Sequence, residues 1–164
     1  VTINAGDTPP ADELNDPTGS TVARGERPTT SSTTTSETAV LRIDAVPVEV
    51  GRVYWVVTSN LFLASSVAAD VITGRIRAST AGAATTASAI VGEGGTTQPT
   101  TTAFGVPLRV KYVPGSTGNV SFLLSVARIG GTGNVSIVAA TNHPTIDLAV
   151  IDGGVDPGDT GVDL

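Results

Sequence analysis

The chain has 164 residues, a length that suits one hydrophobic core and is short for two. Hydrophobic residues make up 40 % but aromatics only 4 %, so the core must be built from Val, Ala, Ile and Leu rather than from large rings. The net charge of −6 argues against a nucleic-acid partner, and the absence of Cys removes both disulfides and thiolate metal sites.

Gly, Pro, Thr and Ser are abundant, and long Glu/Lys/Leu/Ala-rich stretches are missing. β-branched residues suit a pleated surface and Gly/Pro punctuate turns, so strands are expected and helix is disfavoured. No basic segment followed by an apolar run opens the sequence at Val1, so no signal peptide is expected. No apolar run reaches the ~20 residues of a membrane span, so no membrane partner is expected.

Residues 1–38 show neither a period of 2 nor one of 3.6. Pro9-Pro10, Asp16-Pro17, Gly19-Ser20 and the Thr29–Ser36 tract read as an extended N-terminal arm, too poor in apolar residues to hold itself. The patterned region runs from residue 39 to residue 151. Leu41, Ile43 and Ala45 alternate with Arg42 and Asp44 until Pro47 interrupts them. In Val53–Thr58, Val53, Trp55 and Val57 share the expected core face, opposite Tyr54 and Val56. Ser66–Thr80 reads as a long strand with a bend at Gly74, and Ala89-Ile90-Val91 as a short one.

The strongest alternation comes later. Val106, Leu108, Val110 and Tyr112 form one face; Val120, Phe122, Leu124 and Val126 another; Val135, Ile137 and Ala139 a third; Ile146, Leu148 and Val150 a fourth. Gly130-Gly131-Thr132-Gly133 and Gly92-Glu93-Gly94-Gly95 both read as turns, since neither carries a phosphate-loop lysine. The total is roughly seven to nine strands, which predicts an all-β fold: an antiparallel β-sandwich or jelly roll. Residues 152–164 follow as a short acidic C-terminal tail. The arm and tail are acidic, while the stretch between them holds more Arg and Lys than Asp and Glu, so an acidic arm could lie on a neighbour's body.

Catalysis finds little support. The single His143 sits in a turn, Asn142-His143-Pro144, and nucleophilic chemistry needs a base beside its nucleophile. The acids Asp44, Glu49, Asp70, Glu93 and Asp147 are scattered without the pairing a glycosidase uses. In the tail, Asp152, Asp156, Asp159 and Asp163 lack the alternate spacing and closing Glu of a calcium loop. No enzyme activity, cofactor, catalytic residue or metal site is expected. A glycan site is the remaining small-ligand candidate, with Tyr54, Phe62 and Phe104 as the aromatics expected at the surface, and Trp55, Tyr112 and Phe122 assigned to the core.

The runs Val50-Gly51-Arg52-Val53-Tyr54, Gly118-Asn119-Val120-Ser121-Phe122 and Ile146-Asp147-Leu148-Ala149-Val150 resemble the galactose-binding-like jelly roll of many carbohydrate-binding modules. The Ala/Val/Thr/Gly-rich style, the Ser66–Thr80 body and the Asp-Pro-Gly tail are similar to small virion proteins of actinobacterial tailed phages, among them capsid decoration proteins. The second resemblance implies a structural protein on the outer capsid surface of a virion. Its partners would be the major capsid protein and other copies of the chain, assembled as a homotrimer. The first implies the alternative, a glycan-binding module on a phage tail or fibre used for host attachment.

Overall fold

A computed structural model describes residues 19–58, 61–139 and 145–158. Its eleven strands are β1 (Thr21–Arg27), β2 (Thr38–Val48), β3 (Arg52–Thr58), β4 (Phe62–Ser65), β5 (Val71–Ser79), β6 (Ala89–Thr97), β7 (Phe104–Gly105), β8 (Leu108–Tyr112), β9 (Gly118–Gly130), β10 (Val135–Ile137) and β11 (Ile146–Val155). No helix occurs among the described residues. One four-stranded sheet has the order β1-β11-β3-β8, and a second has β2-β9-β5-β6. Every pairing is antiparallel. With the first and last strands side by side and the chain passing back and forth between two four-stranded sheets, this is the jelly-roll form of the β-sandwich.

The core lies between the sheets, where Val56, Leu148 and Val150 face Ile72, Ile76, Phe122 and Leu124. Glycines let the two sheets close at both sides. On β6, a side chain at Gly92 would overlap Val110 of β8, and one at Gly94 would crowd Val106 and the Pro107 carbonyl just ahead of β8. On the opposite side, Gly25 of β1 lies against Leu41 and Ile43 of β2. Each pair of sheet edges therefore leans together, which shields edge backbone from unwanted pairing. Gly92–Gly95, expected as a turn, is the middle of strand β6, and close packing is why it is glycine.

The connections separate into two ends. At one end the β1–β2, β3–β5, β6–β8 and β9–β11 connections gather, and β10, β4 and β7 form a small third sheet there. Thr34 joins that sheet through a bridge to Val135. At the other end lie residues 49–51, 80–88 and 113–117, together with Gly19–Ser20 and Asp156–Gly158.

The boundary expected at residue 38 falls elsewhere. Thr21–Arg27 pairs along β11 with Arg27 opposite Ile146, so β1 is an edge strand of the sandwich. Residues 30–34 are tied in as well: Ser31 and Thr34 N–H groups donate to Ile137 and Val135 carbonyls. This segment lacks an alternating pattern because its fit comes from backbone hydrogen bonds, which carry no side-chain signature. Residues 1–18 of the expected arm lie outside the described residues. At the other terminus, β11 continues to Val155, past the expected end of the domain at 151.

Two further departures have local causes. β2 runs straight through Pro47, tolerated because β2 is an edge strand. Register shifts between Ala39 and Leu41 and between Ile43 and Val46 leave Val40, Ile43, Val46 and Val48 buried, and Ala45 sits at φ 55° within the second. On β3 the two faces are reversed: Tyr54 and Val56 point into the core, and Trp55 and Val57 point outward. Both faces of β3 are apolar, so alternation could not choose between them.

Candidate functional site

The three aromatics proposed for a glycan do not converge. Tyr54 is buried, and its hydroxyl oxygen accepts the Glu49 N–H at 3.0 Å, so the ring holds the β2–β3 connection and offers no stacking face. Phe62 and Phe104 lie in the third sheet at the opposite end. Phe62 is paired with Gly105 and Phe104 with Leu63, which directs the two rings to opposite faces. Phe104 is half exposed and Phe62 half buried. The aromatic that does reach a sheet's outer face is Trp55, and there the Arg109 guanidinium stacks 4.0 Å from its ring centroid. Phe122 and Tyr112 pack edge to face at 5.1 Å, Phe122 wholly in the core as expected. Burial pushes the Tyr112 hydroxyl above the ordinary phenol range.

Polar side chains within the body serve one another. Glu37, between β1 and β2, accepts from Arg77 Nε at 2.6 Å and Nη2 at 2.7 Å, from Ser125 Oγ at 2.7 Å and from Arg75 Nη1 at 2.8 Å. Arg77's hydrogen bonds, with help from Ser125 and Arg75 and against the cost of burial, hold the Glu37 carboxyl at about 2. Arg75 reaches Glu93 on β6 as well, so four segments meet on the outer face of the β2-β9-β5-β6 sheet.

Asp70 is the second centre. It accepts from Ser65 Oγ at 2.5 Å and from the Gly133 and Thr132 N–H groups at 2.9 and 3.0 Å. The Ser65 hydroxyl and those two amides, aided by the Arg128 charge and opposed by burial, keep its carboxyl below the usual range. Gly131 and Gly133 are glycines because any Cβ there would overlap the Asp70 carboxylate. The expected turn at Gly130–Gly133 is thus built around a buried acid from the β4–β5 connection, some sixty residues earlier in the chain.

The third centre is Arg52, whose Nε and Nη2 grip Asp152 at 2.9–3.2 Å. Asp152 also accepts the Gly154 N–H, so the first acid of the expected tail is a buried structural anchor. Asp156 pairs with Lys111 at 3.2 Å. Asp159, Asp163 and His143 lie outside the described residues. Among the described residues no three of His, Cys, Asp and Glu group as metal ligands would.

The Arg52–Asp152 pair and Tyr54 form the floor of a cavity of about 540 Å³. Val22 of β1 and Pro47 and Val48 of β2 make its walls, so it is the mouth between the two sheets at the 49–51 and 113–117 end. Sequence reasoning missed this site, because its wall residues are ordinary strand positions brought together only by the sandwich.

Charge accounting changes with these boundaries. All nine Lys and Arg of the chain fall within the described body, together with nine of its fifteen acids. Asp7, Asp12, Glu13, Asp16, Asp159 and Asp163 alone carry the net charge of −6. The body is neutral, not mildly basic, because Asp147, Asp152 and Asp156 belong to it, while Arg24 and Arg27 of residues 19–38 are offset by Glu26 and Glu37.

The class defined by this geometry is a jelly-roll β-sandwich in which six of the nine Lys and Arg pair with acids of the same chain. No protein-family model matches the chain, and no curated protein matches it.

Proposed function

We propose that the chain is a non-enzymatic structural protein of a virion, which decorates and stabilises a phage capsid from its outer surface. The observation that supports this most is the use of polar groups. Glu37, Asp70 and Asp152 each bind several segments of the chain together, so the chemistry of the molecule is spent on rigidity. A rigid body with terminal segments suits a part that binds an assembled shell and shifts the equilibrium towards it by mass action. Its partners in this reading are the major capsid protein and further copies of itself. Fold alone does not choose this function, since jelly rolls also serve as lectins.

The glycan-binding alternative now depends on Trp55, whose exposed ring face Arg109 covers, and it is the weaker reading for that reason. Immunogold electron microscopy of intact virions, with an antibody against this chain, tests the proposal. Label over the head supports it and directs attention to shell stability in chain-deficient particles. Label confined to the tail favours glycan-mediated attachment, and unlabelled particles rule the proposal out.

A further inference from the structure

We propose that copies of this chain bind one another through the outer face of the β1-β11-β3-β8 sheet, where Arg109, stacked on Trp55, receives the Glu49 carboxylate of a second copy. The proposal gives a surface to contacts between copies. It is drawn from the described side chains alone and does not require the virion reading.

Charge pairing within the body leaves two groups over. Six of the nine Lys and Arg meet acids of the same chain. Arg27 donates to the Thr29, Thr30 and Val40 carbonyls, and Arg128 to that of Gly133. Among the described residues Arg109 is the one cation with no oxygen to donate to; its contact is the Trp55 ring. Of the described acids, Glu49 is the one whose carboxylate accepts from nothing, the others being held by Arg, Lys, Ser or backbone donors. Both side chains are exposed. They do not meet within one copy. Glu49 lies beside Arg52 at the start of β3, whereas Arg109 is opposite Val57, about 17 Å further along that strand. Between two copies they answer each other.

Their surroundings match as well as their charges. Trp55 is opposite Ile151 on one side and Lys111 on the other, and Val57 is opposite Arg109, so Trp55, Val57 and Ile151 form a half-buried apolar strip beside the guanidinium. Gly153 leaves room for the indole, since a Cβ there would stand 2.9 Å from Trp55 Nε1. The indole N–H and the guanidinium are both donors without an acceptor among the described residues, so the face calls for an acid next to an apolar group. Trp and Arg are also the residues on which interface free energy concentrates. The tip at Glu49 and Val50 has the required form, with Val50 exposed by 59 % beside the carboxylate. Its backbone is already fixed: the Glu49 N–H donates to the Tyr54 hydroxyl at 3.0 Å and the Val50 N–H to Thr117 Oγ1 at 3.1 Å. Docking a preformed tip loses little chain entropy. Every copy carries both surfaces, so the contact repeats head to tail and closes a ring where the rotation permits.

Sedimentation velocity of the full chain, over a series from micromolar to millimolar, tests the proposal. It is run at about 0.15 M salt, where net charge is screened beyond roughly 8 Å. The wild-type chain should pass from monomer to oligomer, and the emission of Trp55, the chain's one tryptophan, should shift over the same range. Glu49→Arg should weaken association about tenfold or more, because it sets like charges together. In the Arg109→Glu chain the same substitution should strengthen association, because the charges are again opposite. Neither misfolding nor the lost Trp55 stack, which both Arg109→Glu chains share, produces that reversal of sign. A wild-type chain monomeric throughout, association that leaves Trp55 emission unmoved, or Glu49→Arg acting in one direction in both backgrounds overturns the proposal. A self-associating chain absent from virions would fault the virion reading alone, and labelled virions with a chain monomeric in solution would fault this proposal alone.

Discussion

At the scale of single residues, stability is concentrated where a carboxylate meets several donors at once. Asp70 is buried against the Gly133 and Thr132 amides, and there is no room beside it for a methyl group at residue 133. Gly133→Ala should therefore cost about 2 kcal/mol or more in urea unfolding, because either the turn or the carboxylate must shift and lose its donors. Glu37 gives a pH signature. Its folded value of about 2 lies below the 4.5 of an unperturbed glutamate, so the folded state binds the proton less readily than the unfolded state. The stabilisation is complete above about pH 4.5 and disappears as pH falls towards 2. Glu37→Gln should lower stability at pH 7 by roughly 2–3 kcal/mol, and the gap between variant and wild type should narrow with acidification. A gap of constant size from pH 7 to pH 3 would show that the carboxylate's charge is not what Arg75 and Arg77 need.

Among the elements, β1 decides where the domain begins. It pairs along β11, lays Gly25 on Leu41 and Ile43, and leads into the segment that carries Glu37. Removing residues 1–18 takes away none of the contacts described here, whereas removing 1–38 exposes β11 and leaves Arg75 and Arg77 without Glu37. The shorter deletion should keep a cooperative thermal transition near that of the full chain, and the longer one should abolish it. A folded 39–164 fragment would return the boundary to residue 38. β6 illustrates the same dependence on neighbours: three of its nine residues, Gly92, Gly94 and Gly95, are glycine because Val110, the Pro107 carbonyl and the Ile72 carbonyl lie where side chains would be.

For the whole molecule, the separation of a neutral body from acidic ends is the dominant physical fact. The sequence isoelectric point of about 4.5 belongs to the terminal segments and not to the sandwich. A chain trimmed to residues 19–158 should accordingly have its solubility minimum near neutral pH instead of near 4.5, visible as turbidity in a pH series at low salt. An unchanged minimum would mean that body groups titrate away from their paired states.

The amino-acid sequence by itself determined the all-β class, the turn at Gly130–Gly133 and the core faces of β8, β9, β10 and β11, since period-two alternation is a local property that a buried sheet face imposes directly. It could not orient β3, where Tyr54 and Trp55 are apolar on either side, and only the packing of Arg109 over Trp55 shows which face is outside. Nor could it find β1, which is held by backbone pairing with a strand more than a hundred residues away. The roles of Glu37, Asp70 and Asp152, and the mouth between the sheets, belong to the tertiary structure for the same reason. Each is made of residues distant in the chain, and no local pattern records a contact that exists only once the sheets have closed.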